Sequence, residues 1–235
     1  EDKRLHNIAE EVLVRCVQPH LKNQHAPFMR RAACYCVCQH ATFEFSHPHR
    51  LQTSIQGVLI NIRAPGRLLL PVRVEAATAL RFFLKEEIAQ EVMRPILKEV
   101  LQALFAMMDV TSLDTVVITL ERIIEYFGPS LSTVCNELTK KLVQMFARYL
   151  QLQKTDQEEG DMHGMSAFAC LECIATLFQK MEKYPQVYPG LEALVLPLLH
   201  KIFGPEDSLI EYIDIALRII AWIVLCGPSL SPQLW

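Results

Sequence analysis

Three cysteines and one histidine recur at every second position near the start of the chain: Cys34, Cys36, Cys38 and His40. Structural zinc needs four thiolate or imidazole ligands converging on one point, usually supplied by two short pairs in turns. On a helix, Cys34 and Cys38 share a face and Cys36 points away from it. The second ligand pair is missing, although His47 and His49 follow in a loop. We therefore predict core cysteines here and no metal site.

The other cysteines also favour a structural role. Cys170 and Cys173 have the spacing of a redox pair, but they lie inside a helical pattern without the alternating strands and helices that such pairs require. All eight cysteines lie in apolar runs: Cys16, Cys34, Cys36, Cys38, Cys135, Cys170, Cys173 and Cys226. We expect them to be buried free thiols in a protein of a reducing compartment.

Motifs of catalysis are missing from the sequence. Gly57 and Gly66 stand alone rather than in a phosphate-binding loop, and there is no Gly-x-Ser-x-Gly, His-Glu-x-x-His or EF-hand spacing. Acidic pairs such as Glu86 and Glu87 fall on polar helix faces. The sequence thus predicts a protein that is not an enzyme, with no catalytic residue and no cofactor.

Composition excludes several further classes. The 235 residues include 23 Lys and Arg against 26 Asp and Glu, so the net charge of −3 gives no signature of direct nucleic-acid binding. Apolar residues make up 51% and the mean hydropathy is +0.19, which is incompatible with a disordered chain. The best apolar run, 219–226, is eight residues long and too short to cross a membrane.

Helical spacing of apolar residues continues along almost the whole chain. Its clearest stripe advances in steps of three and four: Leu131, Cys135, Leu138, Leu142, Met145 and Tyr149. The pattern predicts about ten helices, over 5–18, 28–43, 51–63, 72–84, 87–108, 112–127, 131–153, 165–182, 188–203 and 208–226, with a last one from about 231. Pro95 should kink or split the fifth of these near Arg94, because proline lacks the amide hydrogen and clashes with the preceding turn.

Connectors between these helices repeat. The stretch Gly-Pro-Ser-Leu-Ser occurs at 128–132 and 227–231, which start 99 residues apart, and Gly204 also precedes a proline. We expect these glycines in the left-handed conformation that ends a helix, with antiparallel neighbours on either side. Arg31 and Glu75 each precede two alanines, 44 residues apart, where small side chains let helices approach closely.

Repeats of 40–50 residues in an all-helical chain are typical of HEAT and armadillo proteins, in which stacked helix pairs bury a continuous core. We therefore predict an all-α fold, a right-handed HEAT-repeat α-solenoid of about five antiparallel helix pairs that covers residues 1–235. A plain helical bundle with similar connectors is the alternative.

One predicted connector, 154–164, is both long and acidic. Four carboxylates lie within it: Asp156, Glu158, Glu159 and Asp161. A loop of this length between two good helices is either a solvated linker or a functional segment. As a functional segment it would dock a basic partner, and these four residues are the candidate partner-binding site.

Several stretches together resemble a known family. They are 28–35, 71–80, 94–97, 156–160 and 231–235, and they span almost the whole chain in the family's order and at similar spacing. On these stretches the chain resembles the middle of a karyopherin of the importin-beta superfamily, in its importin seven/eight branch. The resemblance implies that the sequence is a fragment of a longer protein.

The resemblance also implies a function. Such receptors bind basic protein cargo, contact the phenylalanine-glycine repeats of the nuclear pore, shuttle between cytoplasm and nucleus, and release cargo on binding the small GTPase Ran in its GTP form. The main Ran contacts of the family lie in N-terminal repeats outside this sequence, so no Ran-binding residue is assigned, and no membrane partner is implied. The alternative is a static HEAT-repeat scaffold or regulatory subunit of a multiprotein complex, but the ordered set of stretches favours the receptor.

Overall fold

Helices make up nearly all of the described chain. The computed structural model describes residues 2–23, 25–43, 45–155, 160–204, 207–229 and 231–232, and no strand occurs among them. The α-helices are α1 (Asp2–Val12), α2 (Pro27–His40), α3 (Pro48–Ile62), α4 (Leu70–Phe83), α5 (Glu87–Met93), α6 (Leu97–Met108), α7 (Asp114–Phe127), α8 (Cys135–Thr155), α9 (Gly160–Lys180), α10 (Tyr188–Ile202) and α11 (Ile213–Cys226). The predicted all-α, HEAT-type fold class is confirmed.

The chain divides into two compact units, Glu1–Val110 and Thr111–Trp235. In unit 1, α4 packs against both α2 and α3, and α3 also contacts α5. In unit 2, α9 is central and packs against α7, α8 and α11, whereas α10 packs against α8 and α11. Within the second unit, α7, α9 and α11 thus form one layer, and α8 and α10 form another.

The repeated alanines of unit 1 lie where two helices meet. Ala76 and Ala77 on α4 and Ala33 on α2 are buried, and α2 packs directly on α4. The residues that precede these alanines in sequence also pair, since the Arg31 guanidinium lies 3.5 Å from the Glu75 carboxylate. Small side chains at this contact let the two helix backbones approach closely, as the sequence predicts.

Hydrogen bonds set the direction of α7 relative to α9. Three side chains of α9 donate to α7 or to the residues just before it: Ser166 to the carbonyl of Ser112, Cys173 to the carbonyl of Val117 (3.3 Å) and Thr176 to the carboxylate of Glu121 (3.2 Å). The paired residues are 54, 56 and 55 positions apart, so the two helices run in the same direction. This is the arrangement of equivalent helices in successive helix pairs.

One predicted helix boundary agrees with the structure and another does not. The predicted break near Pro95 is confirmed, because α5 ends at Met93 and a 3-10 turn over Arg94–Ile96 leads into α6. The first predicted helix, 5–18, is shorter than expected. It ends at Val12 and continues as a π-helical turn and then a 3-10 turn that contains Pro19.

The prediction of left-handed glycines at the connectors is wrong. None of Gly128, Gly204 and Gly227 has a positive φ. Gly128 is required by a close approach instead, because a Cβ atom there would lie 2.5 Å from the Cβ of Lys180 on α9. At Gly227 a Cβ atom would lie 2.5 Å from the carbonyl oxygen of Ile223. These glycines allow close contact between chain segments, and they do not adopt the left-handed conformation.

Candidate partner-binding groove

The cysteines are all free thiols, but they are not all buried. Five are buried: Cys34, Cys38, Cys135, Cys170 and Cys173. Cys36 is exposed because it lies on the opposite face of α2 from Cys34 and Cys38, as the helical phase predicts. The expectation that all eight are buried is also wrong for Cys16, which is exposed in the π-helical turn Leu13–Val17, and for Cys226, which is half-buried.

The cysteine environment is unfavourable for thiolate chemistry. Burial raises the pKa of Cys34 to about 12, and burial also raises the pKa of Cys173. A thiol with a raised pKa stays protonated at neutral pH and is a poor nucleophile and metal ligand. Within the described part of the chain, no three His, Cys, Asp or Glu side chains are grouped closely enough to hold a metal ion.

The connector predicted over 154–164 is shorter than expected, because helices occupy both of its ends. Lys154 and Thr155 complete α8, and residues 160–164 form the first turns of α9. The side chain of Gln153 on α8 lies against the start of α9, since a Cβ atom at Gly164 would lie 2.9 Å from its Nε2. Of the four candidate residues, Asp156, Glu158 and Glu159 fall outside the described residues.

The fourth candidate, Asp161, lies in the first turn of α9 and lines a groove of unit 2. This groove runs between α7 and α9 and has a volume of about 490 Å³. Its described lining holds five carboxylates: Asp114, Glu121, Asp161, Glu172 and Glu211. The same lining contains no lysine, arginine or histidine, so the groove is strongly acidic.

Apolar side chains also line this groove. Ile118 comes from α7, and Met165 and Phe168 come from α9. Met165 is 60% exposed and Phe168 is 44% exposed, although both lie on a helix whose other side is packed in the core. A surface that combines exposed apolar groups with carboxylates offers both contact area and charge to a partner.

Glu121 and Glu172 differ in their surroundings. Partial burial, together with the nearby carboxylates of Glu125 and Glu172, raises the pKa of Glu121, and the hydrogen bond from Thr176 opposes this only in part. Glu172 accepts hydrogen bonds from Nη1 of Arg218 at 2.8 and 3.0 Å. Among the described residues, Glu172 is thus the one groove carboxylate that forms an ion pair.

Sequence reasoning missed most of this groove. Asp114, Ile118 and Glu121 are spaced so that they share a face of α7, which a helical projection of the sequence would show. The corresponding face of α9 is also readable from the sequence. That the two faces lie side by side depends on the pairing of α7 with α9, which no local pattern contains.

Comparisons with known proteins agree with the family resemblance. The chain is similar to a probable importin-7 homolog of Dictyostelium discoideum, with 29% identity over 229 residues, which cover 96% of this chain and 20% of that protein. It is also similar to an importin beta-like SAD2 homolog of Arabidopsis thaliana, with 26% identity over 96% of this chain and 21% of that protein.

Human importin-8 is a third relative, with 23% identity over 88% of this chain and 19% of that protein. The chain therefore spans about a fifth of the length of the curated relatives it matches. No family model and no solved structure matches the chain. The resemblance to the importin seven/eight branch of the importin-beta superfamily is confirmed.

Among the described residues, no helix combines the length and the apolar character that crossing a bilayer requires.

Proposed function

We propose that this chain is a segment of a nuclear import receptor. The receptor binds basic protein cargo in the cytoplasm, carries it through the pore by contacts with phenylalanine-glycine repeats, and releases it in the nucleus on binding Ran in its GTP form. The observation that carries this proposal is the similarity to importins over 96% of the chain. The segment would contribute binding surface and no catalytic chemistry.

The electrostatics of unit 2 support a basic partner. Clustered carboxylates attract Lys- and Arg-rich proteins and accelerate their encounter in a salt-dependent way. Four of the five groove carboxylates are supplied by the neighbouring helices α7 and α9, so their spacing is held by the packing of the unit. No residue of this chain is assigned to Ran or to the pore, because the family's main Ran contacts lie in other repeats.

The test uses the full-length parent protein. We expect a Lys-rich import cargo, immobilised on beads, to retain the parent in the absence of Ran, and to lose it when Ran locked in its GTP form is added. Ran in its GDP form is the matched control and should leave the complex intact. Cargo binding that is indifferent to both forms of Ran would support the static scaffold instead.

The acidic residues of 156–161 are a candidate part of the cargo site. Replacing Asp156, Glu158, Glu159 and Asp161 by serine in the full-length parent should change the free energy of unfolding by less than about 0.5 kcal/mol, as for most surface substitutions. At low salt the variant should bind cargo more weakly than the unchanged protein does. At high salt the two affinities should converge, because screening removes the attraction. Equal cargo affinity at low salt would mean that these residues are only solvated.

A further inference from the structure

We propose that a cavity of unit 1 binds a carboxylate side chain of an acidic protein segment. The cavity lies between the start of α4 and the end of α6 and has a volume of about 580 Å³. Its lining includes two arginines, Arg67 and Arg73. A site of this charge is unsuited to the basic cargo of the proposed function, so the inference goes beyond that function and concerns a second kind of partner.

Arg73 is held by two backbone carbonyls and keeps one end of its guanidinium free. Its Nε donates to the carbonyl of Ile62 at 3.1 Å, and its Nη2 donates to the carbonyl of Ala103 at 2.9 Å. No described residue accepts a hydrogen bond from Nη1. Nη1 and the second hydrogen of Nη2 thus remain as a pair of parallel donors, which match the two oxygens of a carboxylate.

The charge of Arg73 has no counterion among the described residues. The side chain is partly buried, and this burial alone lowers the pKa of Arg73. Asp109 also lines the cavity, but it forms no ion pair with Arg73 or Arg67. Two arginines and one aspartate leave the lining with an excess of one positive charge. A single carboxylate beside Arg73 would neutralise that excess and offset the lost hydration of the guanidinium.

An equivalent arginine of the same unit has its acceptor within the protein. Arg30 on α2 and Arg73 on α4 each precede a buried alanine by three residues. Arg30 donates to the side chain of Asn61, which follows it by 31 residues. The residue 31 positions after Arg73 is the buried Leu104, whose side chain has no polar atom. A ligand carboxylate would supply to Arg73 the acceptor that Asn61 supplies to Arg30.

The rest of the lining is apolar and open to a ligand. Leu70, Ala106 and Val110 complete it, and Val110 is 44% exposed. On the side of Gly66 the cavity is also accessible, because a Cβ atom at this residue would have no neighbour within 4 Å. We therefore expect the carboxylate of the partner to be flanked by an apolar side chain, which would lie on Leu70 and Val110.

The test measures peptide affinity for the full-length parent by fluorescence anisotropy at low salt. The probe is a labelled peptide Gly-Ser-Leu-Glu-Leu-Ser-Gly with an amidated C-terminus, so that glutamate supplies its only carboxylate. The same peptide with glutamine in place of glutamate is the neutral comparison. We expect the glutamate peptide to bind about tenfold more tightly, as for the gain of a hydrogen bond between charged groups.

Two variants of the protein locate the site. Arg73→Lys keeps a cation but loses the paired donors, and should weaken binding of the glutamate peptide about tenfold. Arg67→Gln removes an exposed cation and should weaken binding about threefold, as for a surface ion pair, with the midpoint of unfolding unchanged. Arg94→Gln, at another exposed arginine of unit 1, is the matched control and should leave the affinity unchanged.

Three results would overturn the inference. Equal affinity for the glutamate and glutamine peptides would mean that no carboxylate is recognised. An equal effect of Arg67→Gln and Arg94→Gln would place the peptide elsewhere, and this comparison decides even if Arg73→Lys does not fold. Tighter binding of a phosphoserine version of the peptide would make phosphate the ligand instead. None of these results bears on the release of basic cargo by Ran, so failure of this inference and failure of the proposed function are separable.

Discussion

Replacing Asn61 by leucine is expected to lower the free energy of unfolding of this chain by about 3 kcal/mol, the cost of leaving a buried charged group without its partner. Asn61 lies on α3 and is fully buried. Its Oδ1 accepts a hydrogen bond from Nε of Arg30 at 2.8 Å, and its Nδ2 donates to the carbonyls of Leu21 and Gly57, both at 2.8 Å.

Arg30 explains the size of the expected effect. Its side chain is also buried, and Asn61 Oδ1 accepts the hydrogen bond that its Nε donates. Leucine has the same branching as asparagine but offers no acceptor, so Nε of the buried Arg30 would keep its share of the positive charge without a partner. The carbonyl of Leu21 would lose a donor at the same time.

Urea unfolding followed by circular dichroism measures the free energy of unfolding. Two further variants test whether its loss comes from the contact between Asn61 and Arg30. Asn7→Leu removes an exposed asparagine of the same unit and should change the free energy of unfolding by less than about 0.5 kcal/mol. The double variant Arg30→Met with Asn61→Leu removes the charge together with its acceptor and should recover more than half of the loss. A double variant as unstable as Asn61→Leu alone would refute the role given to the buried charge.

Leu138→Asp is expected to destabilise the chain by about 4 kcal/mol, through the loss of a buried leucine and the burial of an unpaired carboxylate. Leu138 is 1% exposed on α8, in the middle of the stripe that packs against α9. An aspartate there would either lose its hydration or pull the helix away from its neighbour.

Lys140→Asp is the control for this substitution. Lys140 is two residues further along α8 and exposed, so the same new side chain should change the free energy of unfolding by less than about 0.5 kcal/mol. Both variants can be compared by the midpoint of thermal unfolding. Similar midpoints for the two would mean that α8 does not pack through the face that contains Leu138.

The burial of Leu138 can be predicted from the sequence, whereas the buried contact of Asn61 cannot. The burial of Leu138 follows from steps of three and four along one helix, and Leu131 and Tyr149 at the ends of that stripe are buried as expected. The break at Pro95 is similarly local, since a missing amide hydrogen disrupts the helix that contains it. The acidic residues 156–161 were also visible, but their composition alone did not show that α8 and α9 extend into the predicted connector.

The hydrogen bond between Arg30 and Asn61 leaves no local pattern in the sequence. The two residues are 31 positions apart, and each alone would be assigned to a solvated helix face. Gly128 was recognised as special for the wrong reason, because its close neighbour, Lys180, belongs to a helix much later in the chain. The groove of Glu121 and Phe168 is of the same kind, since it exists only where α7 lies beside α9.

Sequence by itself determined the all-helical class, the positions of most helices, the inward faces of those helices and the resemblance to importins. Each of these depends on spacing within one helix or on the order of short stretches. Tertiary structure alone decided which buried polar groups are paired, why the connector glycines are glycines, and which carboxylates share a groove. Those features depend on contacts between helices. The residues in each contact are far apart in the sequence, and the energy of any one contact is too small to leave a local pattern.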